Sequence, residues 1–316
     1  MRSVLAPLLA SALLLASSRP ALAQTSGAGS ASRTIAITVD DLPLAGPHPD
    51  GARCDADYAR SLTDRLVGAL VQEGVPAIGF VNESAPCPDV RDAVLRQWLD
   101  AGLELGNHTY GHVDINAVSV DSFGVHVERG ERATRALLAE AGQTLRYFRH
   151  PYLHTGDTPE KRAALDSLLA ARGYTVAPVT VDSDEWMWAH AYAAALARGD
   201  TAIQARLRTE YLDWIEGVTA HFEARSVAVV GREIPQILLI HANALAADTA
   251  AELARRLRAR GYRFVSLSDA LADPAYRRPD PYVGPRGISW LHRWADEIVW
   301  EPDAPDWVDA YRRRDG

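Results

Sequence analysis

From residue 33 onward, short apolar runs alternate with longer amphipathic segments. The short runs are rich in β-branched residues and predict strands at 34–39, 77–81, 103–106, 146–148, 174–179, 236–240 and 263–265. Apolar residues at helical spacing predict helices at 57–73, 89–101, 119–140, 159–172 and 245–260. Repeated alternation of strand and helix predicts an α/β fold with a parallel sheet, open or closed into a barrel. The predicted strands number one fewer than those of a full eightfold barrel.

Two regions break this alternation. Residues 188–232 predict a helical insertion, broken at Gly199-Asp200, whose aromatic residues fall near helical spacing and are expected in the core. Residues 273–316 form a tail rich in Pro, Trp and Arg. We expect the indoles of this tail to cover apolar surface of the barrel, and a platform for stacking sugars is the alternative. The barrel itself is therefore expected at 33–272.

The N-terminal residues predict export. Residues 1–23 combine an early positive charge, an apolar run and small residues before the expected cleavage point, as secretory signal peptides do. A membrane anchor is the alternative, but the run is short for a bilayer. Residues 24–32 are typical of a flexible linker. We expect a periplasmic or secreted protein, with no stable membrane insertion once the signal is cleaved.

Composition narrows the function further. The chain of 316 residues is 47% hydrophobic and 23% charged, which suits one large domain or two small ones. A net charge of -8 argues against a partner made of nucleic acid. The chain has 2 cysteines, Cys54 and Cys87. In an exported protein such a pair is more often bridged than free, so we predict a disulfide between them.

Polar segments follow five of the predicted strands. They are Asp40-Asp41, the pair His108 and His112, Arg149-His150-Pro151-Tyr152, the run from Asp182 to Trp186, and His241. In parallel α/β folds, the loops after the strands open onto one face, where ligands bind. Two imidazoles four residues apart can share one metal ion, and a carboxylate from the first segment can complete the ligand set.

Each of these segments also has a structural interpretation. Adjacent carboxylates at a strand end often cap the next helix, Arg149 suits a structural ion pair, and Asp182 suits the start of a turn. His241 ends an apolar run and suits a core histidine with a satisfied hydrogen bond. Together, however, the segments supply three metal ligands, a spare carboxylate, a spare imidazole and orienting charges. That set favours metal-assisted hydrolysis.

In their order along the chain, these segments resemble the motifs of the polysaccharide deacetylase superfamily, also called NodB-homology or carbohydrate esterase family 4. Thr38-Val39-Asp40-Asp41 resembles its Thr-Phe-Asp-Asp motif, and the segment from His108 to His112 resembles its His-Ser/Thr-x-x-His motif. Similar segments are Arg149-His150-Pro151-Tyr152 for Arg-x-Pro-Tyr, Asp182 to Trp186 for Asp-x-x-Asp-Trp, and Leu238 to His241 for the last motif. Departures are Val39 in place of Phe, Glu185 in place of the second Asp, and Ala242-Asn243 after His241 in place of the commoner Asp.

The resemblance implies an incomplete (β/α)7 barrel of the NodB-homology type, here with the helical insertion and the Trp-rich tail. It further implies a divalent metal ion, most often Zn²⁺, held by Asp41, His108 and His112.

The resemblance also assigns roles around that ion. Asp40 is the expected base and His241 the expected acid. Arg149 is expected to hold Asp40, and Asp182 to orient His241. Tyr152, through its backbone amide, and Trp186 are the expected oxyanion and substrate contacts.

The sequence thus predicts a hydrolase that removes N-acetyl groups from an N-acetylated sugar or polysaccharide through a metal-activated water. Two alternatives keep the same site: a deacylase of a small non-polymeric amide, because the insertion can close the groove, and an O-acetyl esterase. A non-catalytic carbohydrate-binding protein is the alternative from another class. The complete set of ligands, acid and base speaks against it.

Overall fold

The computed structural model describes residue 1 and residues 33–48, 54–84 and 87–313. The predicted signal peptide and linker, apart from Met1, lie outside these residues. In the part of the chain that is described, no helix is both long and apolar enough to cross a membrane.

The described strands form one parallel sheet. They are β1 (Arg33–Leu42), β2 (Ile78–Val81), β3 (Glu104–Asn107), β4 (Tyr147–Phe148), β5 (Thr175–Val176), β6 (Gln236–His241) and β7 (Tyr262–Phe264). Their order is β5-β4-β3-β2-β1-β6, and β7 pairs with the start of β1. Just after β5, Val181 forms a parallel bridge to Leu238 of β6, so the two ends of the sheet approach each other. The predicted incomplete barrel is confirmed.

Helices cover the outside of this sheet. They are α1 (Ala56–Gln72), α2 (Pro88–Asp100), α3 (Val120–Arg129), α4 (Arg132–Glu140), α5 (Pro159–Ala171), α6 (Glu185–Ala197), α7 (Thr201–Val230), α8 (Ala244–Ala259), α9 (Leu267–Leu271), α10 (Trp290–Arg293) and α11 (Asp306–Arg312). One helix was predicted at 119–140, and the structure has two, because α3 ends at Gly130.

Alternation along β1 separates two cores. Ile35, Ile37 and Val39 belong to the large core between the sheet and the helices. Ala36 belongs to a smaller core inside the barrel, together with Phe80 of β2. Because side chains alternate along a strand, the residues that continue the inner row after Ala36 are Thr38 and Asp40. The barrel interior therefore changes from apolar to polar towards the carboxyl end of β1.

The predicted insertion consists of α6 and α7, separated at Gly199-Asp200. The side chain of Asp200 caps α7 by accepting a hydrogen bond from the Ile203 amide at 3.1 Å. Tyr211 and Phe222 are buried in the main core, as predicted.

The tryptophans of the C-terminal tail differ in burial. Trp290 and Trp294 are buried, and Trp307 packs partly buried against the main core, so these indoles cover apolar surface as expected. Trp300 is 49% exposed and departs from that expectation.

Cys54 and Cys87 are joined by a disulfide, with their Cα atoms 5.5 Å apart. The bond connects the segment before α1 to the segment before α2. We expect thiol titration of the denatured, unreduced mature protein to find no free thiol. Because 33 residues separate the partners, removing the bond in a Cys54→Ser, Cys87→Ser variant should lower the free energy of unfolding by about 3–4 kcal/mol. Denaturant titration measures that loss, and two reactive thiols in the wild type would reject the bridge.

Candidate active site

The end of β1 presents two neighbouring carboxylates to one cavity. Consecutive residues of a regular strand point to opposite faces, which would separate Asp40 from Asp41. Asp40 is still paired in register with His241 of β6. Asp41 has φ +64°, in the left-handed region, and turns the chain. This turn allows both side chains to line the same cavity.

His108 and His112 follow β3 in an irregular turn. The turn contains two left-handed residues, Thr109 at φ +70° and His112 at φ +49°. Its backbone is supported by α3, where the carbonyl of His126 accepts a hydrogen bond from the Tyr110 amide at 2.9 Å. Gly130, which ends α3, packs so closely that a Cβ atom there would lie 2.3 Å from the carbonyl carbon of Thr109. The break between α3 and α4 therefore lies where the turn that carries the two histidines packs against Gly130.

Asp41, His108 and His112 converge on one point, with ligand atoms within 4.8 Å of one another. Oδ1 of Asp41 lies 3.6 Å from Nε2 of His108 and 3.7 Å from Nε2 of His112. This oxygen is buried and, among the described residues, has no hydrogen-bond partner. One carboxylate and two imidazoles are a donor set suited to zinc.

His108 is held ready for such a role. Its Nδ1 lies 2.9 Å from the carbonyl oxygen of Arg149, so Nδ1–H donates there and Nε2 keeps its lone pair. Burial, and secondly the charge of His112, lower the pKa of His108 to about 3. The imidazole is therefore neutral near pH 7, as a metal ligand must be. The three residues fit a divalent cation.

Asp40 lies beside these residues without joining them in the convergent set. Its Oδ2 is 3.6 Å from Nη1 of Arg149 and 3.8 Å from Nε2 of His108. Arg149 is fully buried and is held in place, because its Nη2 donates to Thr38 Oγ1 at 2.9 Å. Burial raises the pKa of Asp40 above its usual value, although Arg149 opposes that rise.

Glu185, rather than Asp182, orients His241. Nδ1 of His241 lies 2.7 Å from Oε2 of Glu185, and the side-chain amide of Asn243 donates to the other carboxylate oxygen at 2.6 Å. The expectation that Asp182 fills this role is wrong. Asp184 has φ +49° and turns the chain into α6, and the first residue of that helix, Glu185, is buried against His241. Asp182 lines the cavity instead.

This contact sets the protonation of His241. Burial alone would lower its pKa, but the hydrogen bond and charge of Glu185, with Asp41 and Asp40 nearby, outweigh burial and raise the pKa to about 9. With Nδ1 bound to Glu185, Nε2 is the ring nitrogen left for the cavity. Glu185 and Asn243 are both departures from the family motifs, but the departures alone do not indicate that the two residues meet beside His241.

The cavity has a volume of about 870 Å³, within the usual range for small-molecule sites. Eight predicted residues line it: Asp40, Asp41, His108, His112, Tyr152, Asp182, Trp186 and His241. Arg149 lies beneath them, fully buried. The tail, for which a covering role was favoured over a sugar-stacking platform, also lines the cavity with residues 285–288 and 300–303. His154, paired with Asp114 at 2.7 Å, and His190 also line it.

Comparison with known proteins agrees with this geometry. Residues 28–168 match the family model for polysaccharide deacetylase. A chitin deacetylase from Colletotrichum lindemuthianum is 24% identical over 246 residues, covering 76% of this chain and 79% of that protein.

Two solved structures share the fold. One is a carbohydrate esterase family 4 pseudoenzyme from Bacillus anthracis, with a TM-score of 0.51 and 15% identity over 76% of this chain and 66% of that chain. The other is a mutant of that pseudoenzyme with restored enzymatic activity, with a TM-score of 0.51 and 16% identity over 76% and 68%. The family match and the curated relative show that this chain is similar to polysaccharide deacetylases, with the family model covering residues 28–168, and the two solved structures show that the fold is shared.

Proposed function

We propose that the protein is a metal-dependent hydrolase that removes N-acetyl groups from an N-acetylated saccharide. One observation carries this proposal: a three-ligand set, a separate carboxylate and a separate imidazole line the same cavity. A binding protein has no use for that combination. The name of the relative from Colletotrichum lindemuthianum, a chitin deacetylase, supports the same class of reaction.

Asp41, His108 and His112 would hold the metal ion, and their one carboxylate and two imidazoles suit Zn²⁺. A divalent ion supplies a Lewis acid that polarises the acyl oxygen and lowers the pKa of water. The protein supports this by donating one anionic oxygen and two neutral nitrogens, so the site keeps residual positive charge. Because Nδ1 of His108 donates to the Arg149 carbonyl, Nε2 would be the nitrogen that binds the cation.

Asp40 would act as the general base. It lies close to the ligand set but its neighbours are Arg149 and His108, and burial raises its pKa, which makes it a better proton acceptor. Arg149, anchored through Thr38, keeps the carboxylate ionised and fixes its position.

His241 would act as the general acid. An amide nitrogen leaves poorly unless it is protonated, so a group on the protein must donate a proton to it. Glu185 keeps His241 charged near neutral pH and directs Nε2 to the cavity. The developing oxyanion would receive a hydrogen bond from the backbone amide of Tyr152, a residue at φ +56° on the rim.

Replacing Glu185 with Gln tests the support of His241. Glu185 raises the pKa of His241, so its loss should lower that pKa. A general acid works only while protonated, and the alkaline limb of the pH profile of kcat/KM should therefore move to lower pH. At neutral pH we expect a loss on the order of 10-fold to 10²-fold for amide substrates. An unshifted alkaline limb with full activity would show that Glu185 does not tune His241.

Acetate release from chitooligosaccharides, measured with metal content on the same samples, tests the proposed function. We expect about one equivalent of metal and acetate release that chelators abolish and zinc restores. Acetate release only from small non-polymeric amides would indicate a small-amide deacylase instead. Release only from acetylated xylan would indicate an O-acetyl esterase. Saccharide binding with no metal and no release would indicate a non-catalytic carbohydrate-binding protein. We also propose that residues 1–23 direct export, so that the enzyme meets its substrate outside the cytoplasm.

A further inference from the structure

We infer that Trp300 forms a second sugar-binding subsite beside the reacting acetyl group, so that the enzyme prefers saccharides of two or more rings to a single N-acetylated sugar. This inference rests on the proposed function and adds the size of the substrate to it. Trp300 lies in the C-terminal tail, beyond the residues that match the family model. The tail, and not a barrel strand or the loop that follows one, supplies the aromatic residue of this subsite.

The exposed aromatic side chains of the described residues are not scattered. Tyr152, Trp186 and Trp300 are 55%, 41% and 49% exposed, and all three line the same cavity. Large aromatic faces left open to water mark binding surfaces, since their burial by a ligand is favourable. The apolar faces of sugar rings match such indole and phenol faces. Two of these aromatics follow barrel strands, and the tail brings the third.

The strap that carries Trp300, residues 297–303, is held rigidly against the insertion. The carbonyl of Val299 accepts hydrogen bonds from Nε2 of His221 and Nε2 of His292, each at 3.1 Å. Arg225 of α7 donates to the carbonyl of Glu297 at 3.1 Å. Trp300 is thus placed before any ligand arrives, which lowers the entropic cost of binding.

His221 and His292 act here as donors to the strap. Together with Glu301 they lie close enough to suit a metal ion, but both Nε2 atoms are directed at the Val299 carbonyl. Burial lowers the pKa of His292 to about 4, so its ring is neutral, and it packs edge to face against Trp300 with ring centroids 5.3 Å apart. The histidine pair therefore fixes the position of the indole.

The surroundings of Trp300 supply hydrogen-bonding groups for sugar hydroxyls. Glu301 and Asp303 of the same strap line the cavity, and Arg286 lies with its Cζ 5.7 Å from the centre of the Trp300 ring. Because Arg286 lies over one face of the indole, a sugar ring would stack on the surface that remains exposed, where these acceptors suit hydroxyls along its edge. Asp182 and Asp184 add further negative charge to this wall, which disfavours anionic sugars such as uronic acids.

Kinetics on substrates of increasing length test the inference. The substrates are N-acetylglucosamine and its β-1,4-linked dimer, trimer and tetramer, and the readout is kcat/KM for acetate release. We expect the wild type to prefer the dimer and longer chains. Trp300→Ala should lower kcat/KM by about tenfold on those chains and change it less than about twofold on the monomer. Trp300→Phe, which keeps an aromatic face, should recover most of the loss.

Val283→Ala is the matched control, because Val283 is exposed in the same tail but does not line the cavity. It should behave as the wild type on every substrate. Equal losses on monomer and tetramer in Trp300→Ala, or no loss on either, would overturn the subsite.

Calorimetry separates this inference from the proposed function. In the inactive Asp40→Asn variant, introducing Trp300→Ala as well should weaken binding of the tetramer by the same factor, about tenfold, as it lowers kcat/KM. If the wild type releases no acetate from any saccharide, the proposed function fails, and the calorimetric arm still judges the subsite. If the tetramer binds equally well with and without Trp300→Ala, the proposed subsite is rejected.

Discussion

Asp40→Asn is expected to keep the metal ion and to lower kcat/KM for acetate release by on the order of 10²–10⁴-fold. Asn nearly preserves the shape of Asp40 but cannot accept a proton as a carboxylate does. The side chain of Asp40 does not belong to the convergent ligand set, and its Oδ2 faces Nη1 of Arg149 at 3.6 Å. Metal content by elemental analysis and the rate of acetate release, measured on the same preparation, check both halves of this expectation.

Asp41→Asn is the matched counterpart, one residue further along the chain. Asp41 is the only anionic member of the set that contains His108 and His112. Its replacement should weaken metal binding, so activity should fall at trace zinc and return in part when zinc is added in excess. If Asp40→Asn is purified without metal while Asp41→Asn retains it, the two roles are reversed. If both variants keep full metal and activity, the proposed site is wrong.

The separate roles proposed for Asp40 and Asp41 illustrate what could be predicted from the sequence. Each strand was recognisable from a run of β-branched residues, and the rule that loops after parallel strands share one face brought distant motifs together. The motif residues Asp40, His108 and His241 indeed line one cavity. The left-handed turn at Asp41 was also foreseeable in kind, because two consecutive strand residues can reach one site only where the strand ends.

Other features of the site depend on contacts that no local pattern contains. Glu185 reaches His241 because Asp184 adopts a left-handed conformation before α6, and this backbone choice is invisible in composition. Helix α3 ends at Gly130 because the turn that carries His108 and His112 packs against this residue and leaves no room for a Cβ atom. That turn follows β3, an earlier strand, so the helix sequence does not show the contact. Trp300 takes its place through Val299 and His221, 78 residues apart. Such long-range pairings are set by packing, so the sequence alone could not decide between a covering role for the tail and a place for it at the cavity.

His241→Ala is expected to reduce amide hydrolysis by on the order of 10²-fold or more while sparing hydrolysis of an activated ester. The amide nitrogen needs a proton in order to leave, whereas an activated phenolate or similar group leaves with little help. His241 is suited to supply that proton, since its pKa is raised to about 9 and its Nδ1 is bound by Glu185. The measurement is kcat/KM on an N-acetylated oligosaccharide and on an activated acetyl ester, at matched metal content.

Equal losses on amide and ester would mean that His241 holds the structure or contacts the oxyanion instead. Glu185→Gln tests the same role from the partner residue, because Glu185 is proposed to act on the reaction only through His241. In the His241→Ala background, Glu185→Gln should therefore cost nothing further on the amide, although alone it lowers the rate. Additive losses would place Glu185 in a separate role, such as support of Asn243, with which it also shares a hydrogen bond of 2.6 Å. Strict non-additivity, confined to the amide, would identify the pair as one proton-donating unit.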